Sequence, residues 1–232
     1  MRPNVDALDT HTIRPRQHQS LGHVAVVIAI LACLIDIASA DQQRRTSLTS
    51  FEVPRSDLAN AKALANRLAA LSPRVNSGEA ELFADCAYAT VSQLRRQYRM
   101  FGTPIFNNFL VYHGLKKRGY CYQWSEDLLV ALEALKLNSL ELHWGEHDAG
   151  TWRENNCIVV TAKGQPFQRG IMLECWRHLG HLYCGPVAGD YEHYVENSAY
   201  AQFVRTRAAG KASGANHHVA LQTQTEGKEK TD

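Results

Sequence analysis

The hydrophobic pattern of this chain changes period once, near Asn138. Before that point apolar residues recur every three or four positions, which lines one face of a helix; after it they alternate or run continuously, as strands do. Ser56 is placed to cap a helix reaching about Leu71, with Leu58, Ala61, Leu64, Ala65 and Leu68 on one face and Asn60, Lys62, Asn66 and Arg67 around the rest. Ser72-Pro73 ends it. Ser77, with Glu79 and Glu81 in the first turn, opens a second helix that runs through Phe83, Ala87 and Val91 to a basic end at Arg95–Arg99, a charge order that suits the helix dipole. Gly102-Thr103-Pro104 interrupts the pattern, and residues 105–117 read either as a short helix or as an irregular apolar segment. Trp124, Leu128, Leu129 and Leu132 then mark a helix from Cys121 to about Lys136.

The second half predicts a small sheet. Leu140, Leu142 and Trp144 fall on one face of a strand and Glu141 and His143 on the other, and 145–155 reads as loop. Residues 157–162 form a strand apolar on both faces; 170–176 is a third strand, paired in a hairpin with 182–184. Ser198–Arg207 suits a last short helix. Helices first and an antiparallel sheet second make the fold class α+β, over residues 53–205. Residues 206–232 carry almost no large apolar side chain and are predicted to be a disordered tail.

The first 52 residues have a different composition. Arg2, Arg14 and Arg16 precede an apolar run from Val24 to Ile35, then Ala38-Ser39-Ala40 and a polar stretch. A basic segment, a short apolar core and an Ala-x-Ala site form the pattern of a secretory signal peptide. Residues 1–40 are therefore expected to be a signal peptide or an N-terminal membrane anchor, and 41–52 a linker. Cleavage after Ala40, lipidation at Cys33 and an uncleaved anchor over 21–40 are three readings of the same stretch. Each places the protein outside the cytoplasm, in the periplasm or cell envelope, with membrane attachment through 21–40 in the last.

Charge narrows the partners. The 25 Lys and Arg are scattered among 23 Asp and Glu, for a net charge of +2, and no aromatic and basic ladder is visible. A nucleic-acid role is not expected; an envelope protein or peptide is the expected partner. Of the six cysteines, cleavage after Ala40 leaves Cys86, Cys121, Cys157, Cys175 and Cys184. An odd number in an oxidising compartment leaves one free thiol or an intermolecular bridge. Cys175 and Cys184 flank the hairpin turn, so a disulfide between them is one expectation. His143, His147, Asp148, His178 and His181 match no familiar ligand spacing, so neither a metal nor any cofactor is expected.

The candidate chemistry lies in Lys116–Leu129. A Gly two residues before Cys121, followed by a helical apolar pattern, feeds the thiol into a first helical turn. Free N–H groups, the helix dipole and the basic residues Lys116, Lys117 and Arg118 would there favour thiolate. The same spacing suits a buried Cys packed as a small hydrophobe. Tyr120, Tyr122, Gln123 and Trp124 are candidates for the walls of a substrate groove, with Trp124 equally suited to the core.

From Gly119-Tyr120-Cys121 through Cys157-Ile158-Val159-Val160 to Leu173-Glu174-Cys175-Trp176, the chain resembles the transglutaminase-like and papain-like cysteine enzymes. More closely, it is similar to uncharacterised bacterial exported proteins with a Gly-Leu-Cys-Tyr-Gln-Trp type segment. The resemblance implies a Cys nucleophile at a helix start, a His base on the following strand, and a carboxylate on the next. Glu174 matches the carboxylate position, with Cys175 where Pro is more typical. The base position falls on Asn155-Asn156, and an amide takes no proton from a thiol. His143, sharing a strand face with Glu141, is the substitute base, so that Cys121, His143 and Glu174 would form the triad and Asn155 a substrate contact. Two functions follow: a thiol hydrolase or acyltransferase acting on an amide or ester, or a catalytically degenerate envelope protein that binds or supports structure.

Overall fold

The computed structural model describes residues 51–211. The signal or anchor segment 1–40, the linker up to residue 50 and the tail from 212 onward lie outside the described residues. Helix α1 (Leu58–Ala69), entered through a single 3-10 turn at Arg55–Asp57, and α2 (Ser77–Tyr98) form where helical spacing predicts them. Asn76 is the true cap of α2, its side chain accepting the Glu79 N–H at 3.1 Å. The ambiguous 105–117 segment begins as a helix, α3 (Pro104–Tyr112), because Thr103 accepts the Phe106 N–H at 3.1 Å and Pro104 tolerates a first-turn position. Helix α4 (Cys121–Glu133) stops three residues short of its predicted end.

The described residues form the strands β1 (Leu140–His147), β2 (Asn155–Ala162), β3 (Ile171–Glu174), β4 (Tyr183–Pro186) and β5 (Val195–Glu196). They form one antiparallel sheet in the order β4-β3-β2-β1-β5. Strand β1 extends through residues that read as loop, since Gly145, Glu146 and His147 pair with Cys157, Asn156 and Asn155. Gly145 looks like a strand breaker, yet no side chain fits there: a Cβ would lie 2.8 Å from Cys157 Sγ and 3.1 Å from the Phe167 ring. The two-residue β5 carries too little pattern to be visible in the sequence.

Leu140, Trp144, Ile158, Val160, Ile171 and Leu173 pack with Phe83, Trp124, Leu128 and the rest of the helical core. On the other face, Cys157, Val159, Met172, Phe167, Val187 and Tyr194 form a smaller cluster. Strand β2 is thus buried along its whole length, and α4 packs between β2 and α2. A last helix, α5, covers 198–211 and buries Ala201 and Val204; it continues past the boundary at 206 drawn from composition. Among the described residues no helix is long and apolar enough to cross a membrane.

All five described cysteines are free thiols, and the expected Cys175–Cys184 bridge is not formed. Cys184 stands opposite Leu173, and the β3–β4 ladder ends at Glu174 opposite Tyr183, so Cys175 lies beyond it.

A carboxylate ties the two halves together. Glu79 at the start of α2 accepts from the N–H of Asn138 (2.9 Å) and of Ser139 (2.8 Å) and from the Ser139 hydroxyl, where the helical half hands over to the sheet. Burial alone would raise its pKa, but these donors outweigh it and hold the carboxyl below its ordinary value. A depressed carboxylate stabilises the fold above its unfolded pKa near 4.5, and the contribution is lost as pH falls through the lower folded value. Glu79→Ala is expected to cost about 1 kcal/mol at pH 7, with the difference from wild type shrinking as pH falls below the unfolded value near 4.5. Urea unfolding at pH 7 and pH 3.5 measures both.

Candidate functional site

Gly119 sets up the start of α4. Its φ of +147° suits glycine, and a Cβ there would approach Val111 and Lys116. Tyr120 is the N-cap, and the Gln123 side chain turns back to accept the N–H of Gly119 (2.7 Å) and of Tyr120 (3.2 Å). Gln123 therefore holds the turn and does not wall a substrate groove. Trp124 is fully buried and meets the Tyr98 ring edge-on at 4.7 Å, so it is core.

This turn places Cys121 against the start of β2. Its Sγ–H donates to the Glu154 carbonyl oxygen at 3.3 Å, and its sulfur accepts from Asn156 Nδ2 at 3.4 Å. The Asn156 amide is fixed from behind, because the Trp144 indole N–H donates to its Oδ1 at 3.1 Å. That leaves the NH₂ group to face Cys121 and the Glu154 carboxylate (2.8 Å). Its backbone carbonyl accepts the Ser125 hydroxyl at 2.8 Å, locking α4 to β2.

The surroundings favour the neutral thiol. Burial pushes the Cys121 thiol up to about 12; the Asn156 amide and the Tyr122 N–H oppose this, and the negative charges of Glu154 and Glu174 add to it. A thiolate would also bring its charge against the Glu154 carbonyl oxygen that the thiol proton now satisfies. The three basic residues upstream supply no counter-charge. Lys116 donates to Asn107 and to the Arg99 carbonyl, and Arg118 bonds the Tyr98 hydroxyl and Asp127.

The other two members expected of a triad lie across the sheet. His143 is on the face of Gly145 and Phe167, opposite to Trp144, with its ring nitrogens 2.7 Å from Glu196 and 2.9 Å from Thr161. The period of two that puts Trp144 beside Asn156 puts His143 away from Cys121. Among the described residues no imidazole bonds the thiol. Glu174 shares the face of Met172 and is buried with Arg177, whose N–H donates to it at 2.8 Å. Arg177 also forks to Asp190 at 3.1 and 3.3 Å and stands 3.2 Å from Glu192. Asn155 joins this group, donating to Glu192 and to the Tyr194 hydroxyl at 2.8 Å each, so it too faces away from Cys121.

What remains near the thiol is an aromatic groove of about 420 Å³, walled by Phe109, Tyr112, Tyr120, Tyr122 and Trp152, with Cys121 and Glu154 also in its lining. Tyr120 and Tyr122 stack at 5.7 Å. Phe109 and Tyr112 come from the ambiguous apolar segment and Trp152 from a loop, so sequence reading did not place them here. Asn156, Glu154 and Ser125 were also missed as partners of the site, although a polar pair opening an apolar strand is a signal that those groups are satisfied inside the protein. Among the described residues no group of three or more His, Cys, Asp or Glu side chains is placed to hold a metal ion. No family model, no curated protein and no solved structure matches this chain.

Burial pushes the Glu174 carboxyl up to about 7 against the lowering effect of Arg177. An acid with a raised folded pKa stabilises the protein while protonated, so this contribution is complete below the unfolded value near 4.5 and is lost as pH rises through the folded one. It should lower stability by roughly 3 kcal/mol between pH 4.5 and 7. Glu174→Gln, which cannot ionise, is expected to flatten this decline, as read from denaturant midpoints across that range.

Proposed function

We propose that this chain is an exported envelope domain built on the helix-then-sheet plan of the transglutaminase-like and papain-like cysteine enzymes, in which the thiol site binds and does not turn over. The observation that carries the reading is the state of Cys121: it donates its proton to a backbone carbonyl and accepts from an amide, with no base on it among the described residues. A thiol so placed lacks the activation that nucleophilic catalysis at neutral pH requires. The groove beside it retains the features of a recognition site, with aromatic walls and few polar groups. Its size suits one or two apolar side chains of an extended polypeptide, which makes an envelope protein or peptide the partner class.

Alkylation of Cys121 by iodoacetamide tests this reading, followed by mass spectrometry of the modified peptide. With the thiol near 12, only about one part in ten thousand is ionised at pH 8, against about a quarter for an ordinary thiol near 8.5. The folded protein is expected to react at least about a thousand-fold more slowly than the denatured chain. Half-maximal reaction below pH 7 would instead restore the thiol hydrolase or acyltransferase reading. Recognition is read separately from Trp152, exposed to 74% while the other three Trp are buried. End-blocked tripeptides carrying Phe or Leu are expected to shift its emission, and Tyr122→Ala to weaken the effect.

A further inference from the structure

Helix α3 is built inside out. Its buried residue is polar: Asn107 donates through Nδ2 to the carbonyls of Phe101 and Thr103, and its Oδ1 accepts the Phe101 N–H (3.2 Å) and the Lys116 ammonium. Lys116 also donates to the Arg99 carbonyl at 3.3 Å. These bonds clasp the segments before and after α3 onto its inner side. Its apolar side chains are left in water: Ile105 is 56% exposed, Phe106 41%, Phe109 52% and Tyr112 79%, and the flanking Phe101 and Leu115 are each 70% exposed. The rings form a continuous surface, Phe101 to Phe106 at 6.0 Å, Phe106 to Phe109 at 6.3 Å and Phe109 to His113 at 4.2 Å. An apolar patch of this kind marks a contact surface.

Along the chain the charge of the segment that carries the patch has one sign, although Glu154 lines the groove that Phe109 and Tyr112 share and Asp127 pairs with Arg118. No Asp or Glu occurs from Cys86 to Ser125, although the chain holds 23, while Arg95, Arg96, Arg99, Lys116, Lys117 and Arg118 all fall in that stretch. Arg99 and Lys117, next to the clasp, are exposed and form no ion pair with any described residue. An apolar protein partner would account for the side chains of α3 and leave the absence of acids unexplained. An anionic lipid surface accounts for both, since apolar side chains enter the acyl boundary while Lys and Arg meet the phosphates.

We propose that α3 and its two flanking loops dock on the surface of an anionic lipid bilayer, with Phe101, Ile105, Phe106 and Leu115 entering it and Arg99 and Lys117 at its headgroups. Phe109 and Tyr112 belong both to this surface and to the groove beside Cys121, so the groove opens at the membrane. The docking is independent of whether the groove takes a peptide.

The test uses the full chain with Leu115→Trp, and separately with Phe101→Trp, read as difference spectra against wild type. The vesicles contain phosphatidylcholine with or without phosphatidylglycerol, and carry bromine on the acyl chains as a contact quencher. Both introduced Trp residues are expected to be quenched in the anionic vesicles. Each basic side chain near such a surface adds about five-fold to partitioning, so Arg99→Ala with Lys117→Ala is expected to weaken the quenching about 25-fold in lipid concentration. Because the quencher acts on contact, attachment of the chain elsewhere does not produce the signal. No quenching at either position overturns the proposal, as does equal quenching in neutral vesicles with no effect of the charge variants. Concentration-dependent self-association in sedimentation without lipid quenching would show that a second copy covers α3.

Discussion

Strand β2 is buried on both faces from end to end, so every polar group it carries must find a partner inside the protein. The two asparagines that open it meet this constraint in opposite directions. Asn156 faces the helices, where it bonds Trp144, Glu154 and Cys121 and receives Ser125 on its carbonyl. Asn155 faces the other way, to Glu192 and Tyr194. The thiol site and the charged cluster around Arg177 are therefore back to back across one strand, linked by the Asn156 N–H that donates to Asn155 Oδ1 at 2.9 Å.

This division explains the character of the thiol site. A catalytic Cys needs a base on its own side of the sheet. Here that side offers an amide held in one orientation by an indole, and the carboxylate and arginine form an ion-paired network of their own behind. The helix N-terminus, which favours negative charge in the open, works against the burial of Cys121 and against the Glu154 carbonyl. Burial prevails because the cost of desolvating a charge exceeds what a helix end returns.

The groove and α3 follow from a second constraint at the same turn. Lys116 and Asn107 use their polar groups to hold the chain between α2 and α4 in a tight clasp. With the inner side of α3 taken by polar bonds, its aromatic residues have no core to enter. They line the rim beside Cys121 and the outer surface together. Recognition by the groove and contact with a membrane would in that case be two uses of one clasp.

Much of the fold was legible from periodicity. The spacing of Leu58 to Leu68 and of Trp124 to Leu132, and the alternation of Leu140, Leu142 and Trp144, report which face of each element is buried, and burial is what the local pattern encodes. Cys121 was legible as the start of a helix for the same reason. The side of the sheet on which a chemically important residue comes to rest was not, because one residue of register decides it and register depends on pairing with distant strands. That is why His143 and Glu174, in a plausible order along the chain, stand behind the sheet, while Asn156 stands before it. Trp152, Phe109 and Tyr112 come from a loop and from an apolar segment with no clear period, and only the packing of α3 beside α4 brings them together. The sequence by itself determined an α+β chain with a thiol at a helix start; the tertiary structure decided that this thiol would be buried, without a base among the described residues, and at the edge of an aromatic groove.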